Sequence, residues 1–172
     1  KMHDSVKDFV SNVKSGFPGH FGPGARVLEY GSRDMNGSVR GFFKSPVEYV
    51  GVDAEQADGV DVVSLFHEYT HEHQDFDVVI STEAMEHDPW WDKSIENVVK
   101  HLRPGGLFVM TCGGPNRDPH HVGQLGEVFG DYYGNRTPNE IRSKLEEFCE
   151  LESFHGATVR QNLDTVVYAV KK

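Results

Sequence analysis

Chemistry is first suggested where an apolar run closes on a carboxylate and a glycine follows. The segment VLEYGSRDMNGS (27–38) does this with Glu29, then turns through Gly31 and Gly37. Glycine lets a main chain pass close to a ligand or take a turn that side chains resist. Alone, a glycine turn after a strand is more often ordinary loop structure, and the spacing is not GxGxxG, because only one glycine follows Glu29 at the expected interval. Asp53, at the end of the next apolar run YVGVDAE (49–55), changes the reading. An acid closing a second strand about 20 residues after the glycine turn can accept hydrogen bonds from both hydroxyls of a ribose. Together the two segments point to a nucleoside. The competing account is a solvated turn aspartate, since Asp is common in turns.

Farther along, ISTEAMEH (80–87) follows a fourth apolar run and offers Glu83, Glu86 and His87 as proton-accepting groups. His87 is the best placed, because imidazole, with an ordinary pKa of about 6.5, suits proton removal near neutrality. It reads equally as a histidine that caps or packs at the start of the next helix. HEYTH (67–71) matches the spacing of a zinc helix, but such a site needs a genuine helix and a third ligand. The stretch lies in a short connection before a strand, so no metal is expected and a solvated polar loop is the better account. His120, His121, Tyr132 and Tyr133 fall in GGPNRDPHHVGQLGEVFGDYYGNR (113–136), which has no sustained period. Long loops in compact domains are usually functional or disordered. This one is read as closing over a substrate. Trp90 is a candidate binding edge, with partial burial against a neighbouring loop as the plainer account.

These residues must be positioned by a regular scaffold, and the hydrophobic pattern supplies one. Val6, Phe9, Val10 and Val13 fall at helical spacing and stop at Gly16, predicting an amphipathic first helix. RVLEY, VEYVGVD, VDVVSLF, FDVVIST and LFVMTC read as strands, with a short helix through Val39, Phe42 and Phe43 between the first two. Asp88 as cap and Pro89 as first helical residue open a helix whose Trp91, Ile95, Val98, Val99 and Leu102 form one face, ended by Pro104. Thr137 to Glu140 spells a capping box, with Ile141, Leu145 and Phe148 on the buried side of another helix. CELESFH and TVVYAVK can pair as an antiparallel hairpin. Alternating strands and helices imply a parallel sheet with ligand at the carboxyl ends of its strands.

The 172 residues suit one domain, taken as 1–172. Lys and Arg number 17 against 27 Asp and Glu, a formal net charge of -10. That disfavours tracking a phosphate backbone or anionic lipid, so neither nucleic acid nor membrane is expected as partner. No apolar run approaches the roughly 20 residues of a membrane span, and the polar start lacks the apolar core of a signal peptide. Cys112 and Cys149 lie far apart with no CxxC spacing. A cytoplasmic setting is expected.

With the motifs in view, the chain resembles the class I S-adenosylmethionine-dependent methyltransferases, of the small type-11-like kind, from about Arg26 to Thr111. VLEYGSRDMNGS resembles the glycine-rich first motif and YVGVDAE the acidic second-strand motif. FDVVISTEAMEH with VVKHLRPGGLFVMT resembles the segment through the fourth and fifth strands. The resemblance implies an α/β, three-layer Rossmann-like sandwich, with a mostly parallel seven-stranded sheet and an antiparallel C-terminal hairpin. It implies S-adenosylmethionine as cofactor and S-adenosylhomocysteine as product, with a small-molecule methyl acceptor preferred. Gly31, Ser32, Arg33 and Gly37 would lie along the methionine part, and Glu29 near its amino group, directly or through water. Asp53 would bind the ribose hydroxyls and Ala54 face the adenine edge. Leu65 or Phe66 stands where many relatives have an acid for the adenine amine, which would leave adenine to backbone groups and apolar contact. Ser81, Thr82 and Glu83 would border the sulfonium, with His87 just beyond. His87, His120, His121, Tyr132 and Tyr133 would meet the acceptor. A nicotinamide-dependent oxidoreductase on a similar sheet would ordinarily show GxGxxG and a larger substrate region. A non-catalytic nucleoside-binding module would share the fold without turnover.

Overall fold

The computed structural model describes residues 4–35, 37–120 and 128–172. Its elements are α1 (Asp4–Gly16), β1 (Arg26–Tyr30), β2 (Glu48–Asp53), β3 (Val62–Val63), β4 (Phe76–Thr82), α2 (Trp91–His101), β5 (Leu102–Gly113), α3 (Pro138–Glu146), β6 (Leu151–Val159) and β7 (Asp164–Lys171). The strands form one sheet in the order β3-β2-β1-β4-β5-β7-β6. β1 to β5 run parallel, while β7 is antiparallel to both β5 and β6. The order reverses beside β1, so the ends of β1, β2 and β4 open on one edge, where a ligand crevice forms in such sheets.

Period-two alternation sorts the strand side chains between the two faces. Val27, Val78, Ile80, Leu107 and Val109 pack with Val6, Val10 and Val13 of α1. Leu28, Tyr30, Val79, Phe108 and Met110 pack on the other face with Ile95, Val98 and Val99 of α2 and Ile141 and Leu145 of α3. Helices on both sides of a mainly parallel sheet make the expected three layers. Among the described residues, no helix is long and apolar enough to cross a membrane.

Four details differ from the sequence pattern. The segment around Val39, Phe42 and Phe43 forms only a short 3-10 turn, Arg40–Phe42. Gly41 in its centre and Pro46 behind it disfavour a longer helix, yet Phe43 still stacks on Phe21 at 4.6 Å. β3 keeps two residues of the run VDVVSLF, because the carbonyl of Leu65 already accepts the turn bonds from Glu68 and Tyr69. α2 begins at Trp91 rather than Pro89, although Asp88 still organises its start by accepting from the Trp90 amide at 2.8 Å and from the Ser94 hydroxyl at 2.5 Å. α2 also ends before Pro104, which lies inside β5. Phe148 is 38% exposed. α3 has ended by then, and the following turn brings Cys149 toward the core instead. The capping box forms as expected, with the Thr137 amide donating to Glu140 at 2.7 Å and the Glu140 amide to Thr137 Oγ1 at 3.3 Å.

Candidate functional site

The turn after β1 is held by β2. The amides of Gly31 and Ser32 both donate to the Val52 carbonyl, at 2.8 and 3.2 Å. The Arg33 amide donates to Asp53 Oδ2 at 3.2 Å, and the Glu55 amide to Asp53 Oδ1 at 3.3 Å. Asp53 is buried, which pushes its pKa up; the amides of Arg33 and Glu55 pull the other way. The Arg33 guanidinium meets the Glu55 carboxylate at 3.1 Å, joining the two turns from above.

Gly31 has φ of 79°, and a Cβ placed on it would lie 2.3 Å from the Cβ of Ala84 in the turn after β4. Its missing side chain therefore lets two strand-end turns touch. Gly51 plays a similar part, because a Cβ there would meet Ser32 Oγ at 2.7 Å. Ser32 accordingly turns its buried hydroxyl toward β2. Gly37 sits farther out, exposed, its amide bonded to Asp34 Oδ1 at 2.7 Å.

Glu29 is buried one residue before the end of β1 and accepts a hydrogen bond from the Tyr49 hydroxyl at 2.6 Å. Burial raises its pKa to about 7, with the Tyr49 hydrogen bond and the Arg40 charge opposing. The Arg40 guanidinium lies over the Tyr49 ring, 4.3 Å from its centroid. A cation brought near Glu29 would favour its ionised form.

Beyond β4, Glu83 takes φ of 52°, a left-handed conformation uncommon for a side-chain-bearing residue and frequent at functional sites. Its amide donates to the Thr111 carbonyl and its carboxylate accepts from Thr111 Oγ1, both at 2.9 Å. Arg117 stands 3.9 Å from Glu83 and 2.6 Å from the buried Asp164, which also binds Arg160 at 3.0 Å. Ser81, at the end of β4, is buried.

A 3-10 turn, Met85–His87, follows, with Glu86 and His87 both buried. The His87 ring lies edge-on to Tyr133 at 5.1 Å and to His120 at 5.6 Å, and those two rings are 5.0 Å apart. The strap carrying Tyr133 is fixed by the Gly134 amide on the Glu86 carbonyl at 2.7 Å and the Arg136 amide on the Gly113 carbonyl at 3.0 Å.

The structure thus brings Gly31, Ser32, Arg33, Asp53 and Ala54 together at one edge, and His87, His120 and Tyr133 beside Glu83 at its continuation. Tyr132 is drawn aside by a hydrogen bond to Arg136, whose guanidinium stacks over Trp91 at 4.2 Å. Phe66 is buried between Tyr30, at 5.3 Å, and Phe129, at 6.1 Å, whereas Leu65 is half-buried in the turn after β3. Thr82 is half-buried beside Thr111. His121 lies outside the described residues. HEYTH is not helical: His67 packs on Trp90 at 5.0 Å, while His71 reaches Glu48 at 3.1 Å. Sequence reasoning missed Tyr49, Arg117 and Asp164. Tyr49 had a signal, since strand alternation sets it on the same face as Val27 and Glu29. Arg117 sits in an aperiodic loop and had none.

The family model described as a methyltransferase domain matches residues 4–149. No curated protein matches the chain in sequence. Among solved structures, it is similar to a phosphoethanolamine N-methyltransferase 2 from Haemonchus contortus in complex with phosphomonomethylethanolamine and S-adenosylhomocysteine. That match has a TM-score of 0.68 at 16% identity, covering 96% of this chain and 53% of that one. It is also similar to the N-methyltransferase NodS from Bradyrhizobium japonicum WM9 in complex with S-adenosylhomocysteine, with a TM-score of 0.65, 12% identity, and 96% and 86% of the two chains covered. A possible exported protein from Bordetella parapertussis matches with a TM-score of 0.62 at 16% identity, over 94% of this chain and 66% of its own. The chain therefore spans about half the length of the nematode enzyme and just under two thirds of the Bordetella protein. The strand order and the family match over most of its length agree, and the chain belongs to the methyltransferase-domain family.

Proposed function

We propose that this domain transfers the methyl group of S-adenosylmethionine to a small molecule. The observation that carries this reading is the continuity of one strand-end edge. Two buried carboxylates, Glu29 and Asp53, flank the glycine turn, and that turn touches Ala84, just before the buried His87 with its wall of Tyr133 and His120. Asp53 keeps lone pairs for ribose hydroxyls beside those used by the Arg33 and Glu55 amides. Glu29 offers its carboxylate to the methionine ammonium. Ala54 and Phe66 lie on the adenine side. Bound there, the cofactor supplies an activated methyl, so the protein's task is chiefly positioning.

His87 takes a proton from an acceptor that must lose one. Its burial under two rings favours an acceptor small enough to enter beneath them, and the net charge of -10 disfavours a polyanion. With both thiols free, the domain suits a reducing cytoplasm.

Thermal melts test the cofactor assignment. S-adenosylmethionine and S-adenosylhomocysteine should each raise the melting temperature, the gain at 100 times the dissociation constant being about 2.7 kcal/mol. NAD should not. A shift with NAD and none with the sulfur compounds would transfer the assignment to an oxidoreductase.

A further inference from the structure

Resting on the methyltransferase reading, we infer that the acceptor is an amine, bound as its ammonium by Glu86, Tyr133 and Asn135 where they converge on Gly113. Glu86 is 1% exposed, and its Oε2 has no hydrogen-bond partner. The amide of Gly113 lies near enough to this carboxyl to favour its ionised form. A Cβ on Gly113 would stand 2.5 Å from Tyr133 Oη and 2.9 Å from Asn135 Oδ1, and these two buried oxygens also lack partners. Three buried oxygens are thus gathered around one glycine with hydrogen-bonding capacity to spare. Buried polar groups left this way are costly, and the cost is removed by a ligand or water that satisfies them.

Carboxylate and amide oxygens accept only, and a hydroxyl can accept, so the set calls for a donor-rich group. An ammonium supplies three donors and a positive charge. The surrounding charge agrees. Arg117 is engaged with Asp164 at 2.6 Å and with Glu83 at 3.9 Å, and Arg160 also serves Asp164. The Arg117 charge reaches Glu86, but the guanidinium itself is held by Asp164 and Glu83. Burial, reinforced by Glu83, raises the proton affinity of Glu86 well above the ordinary carboxylate range, a state that an incoming cation relieves. The His87, His120 and Tyr133 rings pack against one another at 5.0 to 5.6 Å into a single aromatic wall, against which the carbon skeleton of a small amine can lie. In the transfer, the ammonium gives one proton to a ring nitrogen of His87. The freed nitrogen lone pair then forms the N–CH3 bond as the C–S bond breaks, its electrons passing to sulfur.

The test uses the whole chain saturated with S-adenosylhomocysteine and titrated with benzylamine, benzyl alcohol and benzoate, followed by protein NMR. Benzylamine should bind at least about tenfold more tightly than the alcohol, with benzoate weakest. In Glu86→Gln that preference should shrink to within about threefold while S-adenosylhomocysteine affinity stays within about twofold. Tyr133→Phe, a milder change, should weaken benzylamine several-fold and leave the alcohol unaffected, and it decides the matter if Glu86→Gln does not fold. Equal binding of the three probes, tighter alcohol or benzoate binding, no benzylamine binding, or a preference that survives the substitutions would each overturn the inference. Failure of the wild type to bind S-adenosylhomocysteine would instead remove the methyltransferase reading beneath it.

Discussion

Replacing Gly31 with alanine tests whether the site depends on contact between two strand-end turns. The backbone there has φ of 79°, and the left-handed region costs a residue with a Cβ about 1–2 kcal/mol. The new methyl would also lie 2.3 Å from the Cβ of Ala84 and 3.8 Å from the Phe66 ring. Two methyl carbons need well over 3 Å, so Ala84 must move by more than an ångström, and overpacking of this kind typically costs about 1–3 kcal/mol. The sum is about 2–5 kcal/mol, separable by a second change. Ala84→Gly removes the collision and leaves the φ penalty, so Gly31→Ala combined with Ala84→Gly should recover about 1–3 kcal/mol relative to additivity. Urea unfolding of the four proteins, with unchanged m, measures the cycle. Cofactor affinity should follow the same cycle, because moving Ala84 also displaces Glu83 and its two bonds to Thr111. A destabilisation by Gly31→Ala below about 1 kcal/mol, or a coupling of zero, would refute the reasoning.

Asp53→Ala should lower S-adenosylhomocysteine affinity by roughly tenfold to a hundredfold in calorimetric titration, and, because it also frees the Arg33 and Glu55 amides, should destabilise the empty chain by about 1–3 kcal/mol. Unchanged affinity with a loss of stability would leave Asp53 as a turn residue alone. Since Glu29 has its pKa raised from 4.5 to about 7, the folded chain holds that proton more tightly than the unfolded one, and stability should fall as pH rises through this window. Glu29→Gln should remove up to about 3 kcal/mol of that pH dependence when urea melts at pH 5 and pH 8 are compared, and an unchanged slope would contradict the assignment. Truncating Tyr132 and Tyr133 to alanine should impair acceptor use more than cofactor binding, as read by methyl-transfer kinetics beside titration; equal losses would make the strap part of the cofactor site. Thr137→Ala should cost about 1 kcal/mol in a denaturant melt through loss of the capping box, leaving S-adenosylhomocysteine affinity unaltered.

The sheet was legible because its strands alternate strongly or run apolar without interruption, and the carboxylates closing β1 and β2 mark where those runs stop. Short elements were less legible. Val39, Phe42 and Phe43 carry a helical spacing, but Gly41 between them leaves burial without a helix. VDVVSLF looks like a full strand, yet β3 is an edge with Val63 exposed, and the chain turns away once Val62 has packed. Asp88 was read as the cap of α2, but Trp90 holds that position and Asp88 acts from two residues before it, through the Trp90 amide and the Ser94 hydroxyl. Asp53 and His87 were singled out from their positions after strands, and both are buried at the strand ends. The convergence of Tyr133 and Asn135 on Gly113 could not be read, because a loop without periodicity carries no register from which its contacts follow.

The acidity of this chain has a local meaning as well as a global one. Glu29, Asp53 and Glu86 all stand at or near the carboxyl ends of β1, β2 and β4, and burial raises the proton affinity of each. A carboxylate out of water and short of a cation destabilises the empty fold, so the arrangement stores free energy where it can later be released. On the proposed reading, a ligand with an ammonium and a sulfonium would bring two positive charges into that edge, and an amine acceptor would bring a third. Each cation that arrives allows a neighbouring carboxyl to ionise, and the relief adds to binding without any new apolar contact. The two turns are likewise coupled through Asp53, Arg33 and Glu55: the buried Asp53 carboxylate ties down the amides of Arg33 and Glu55, so the shape of this strand-end edge and the stability of the β1–β2 pair are one structural event.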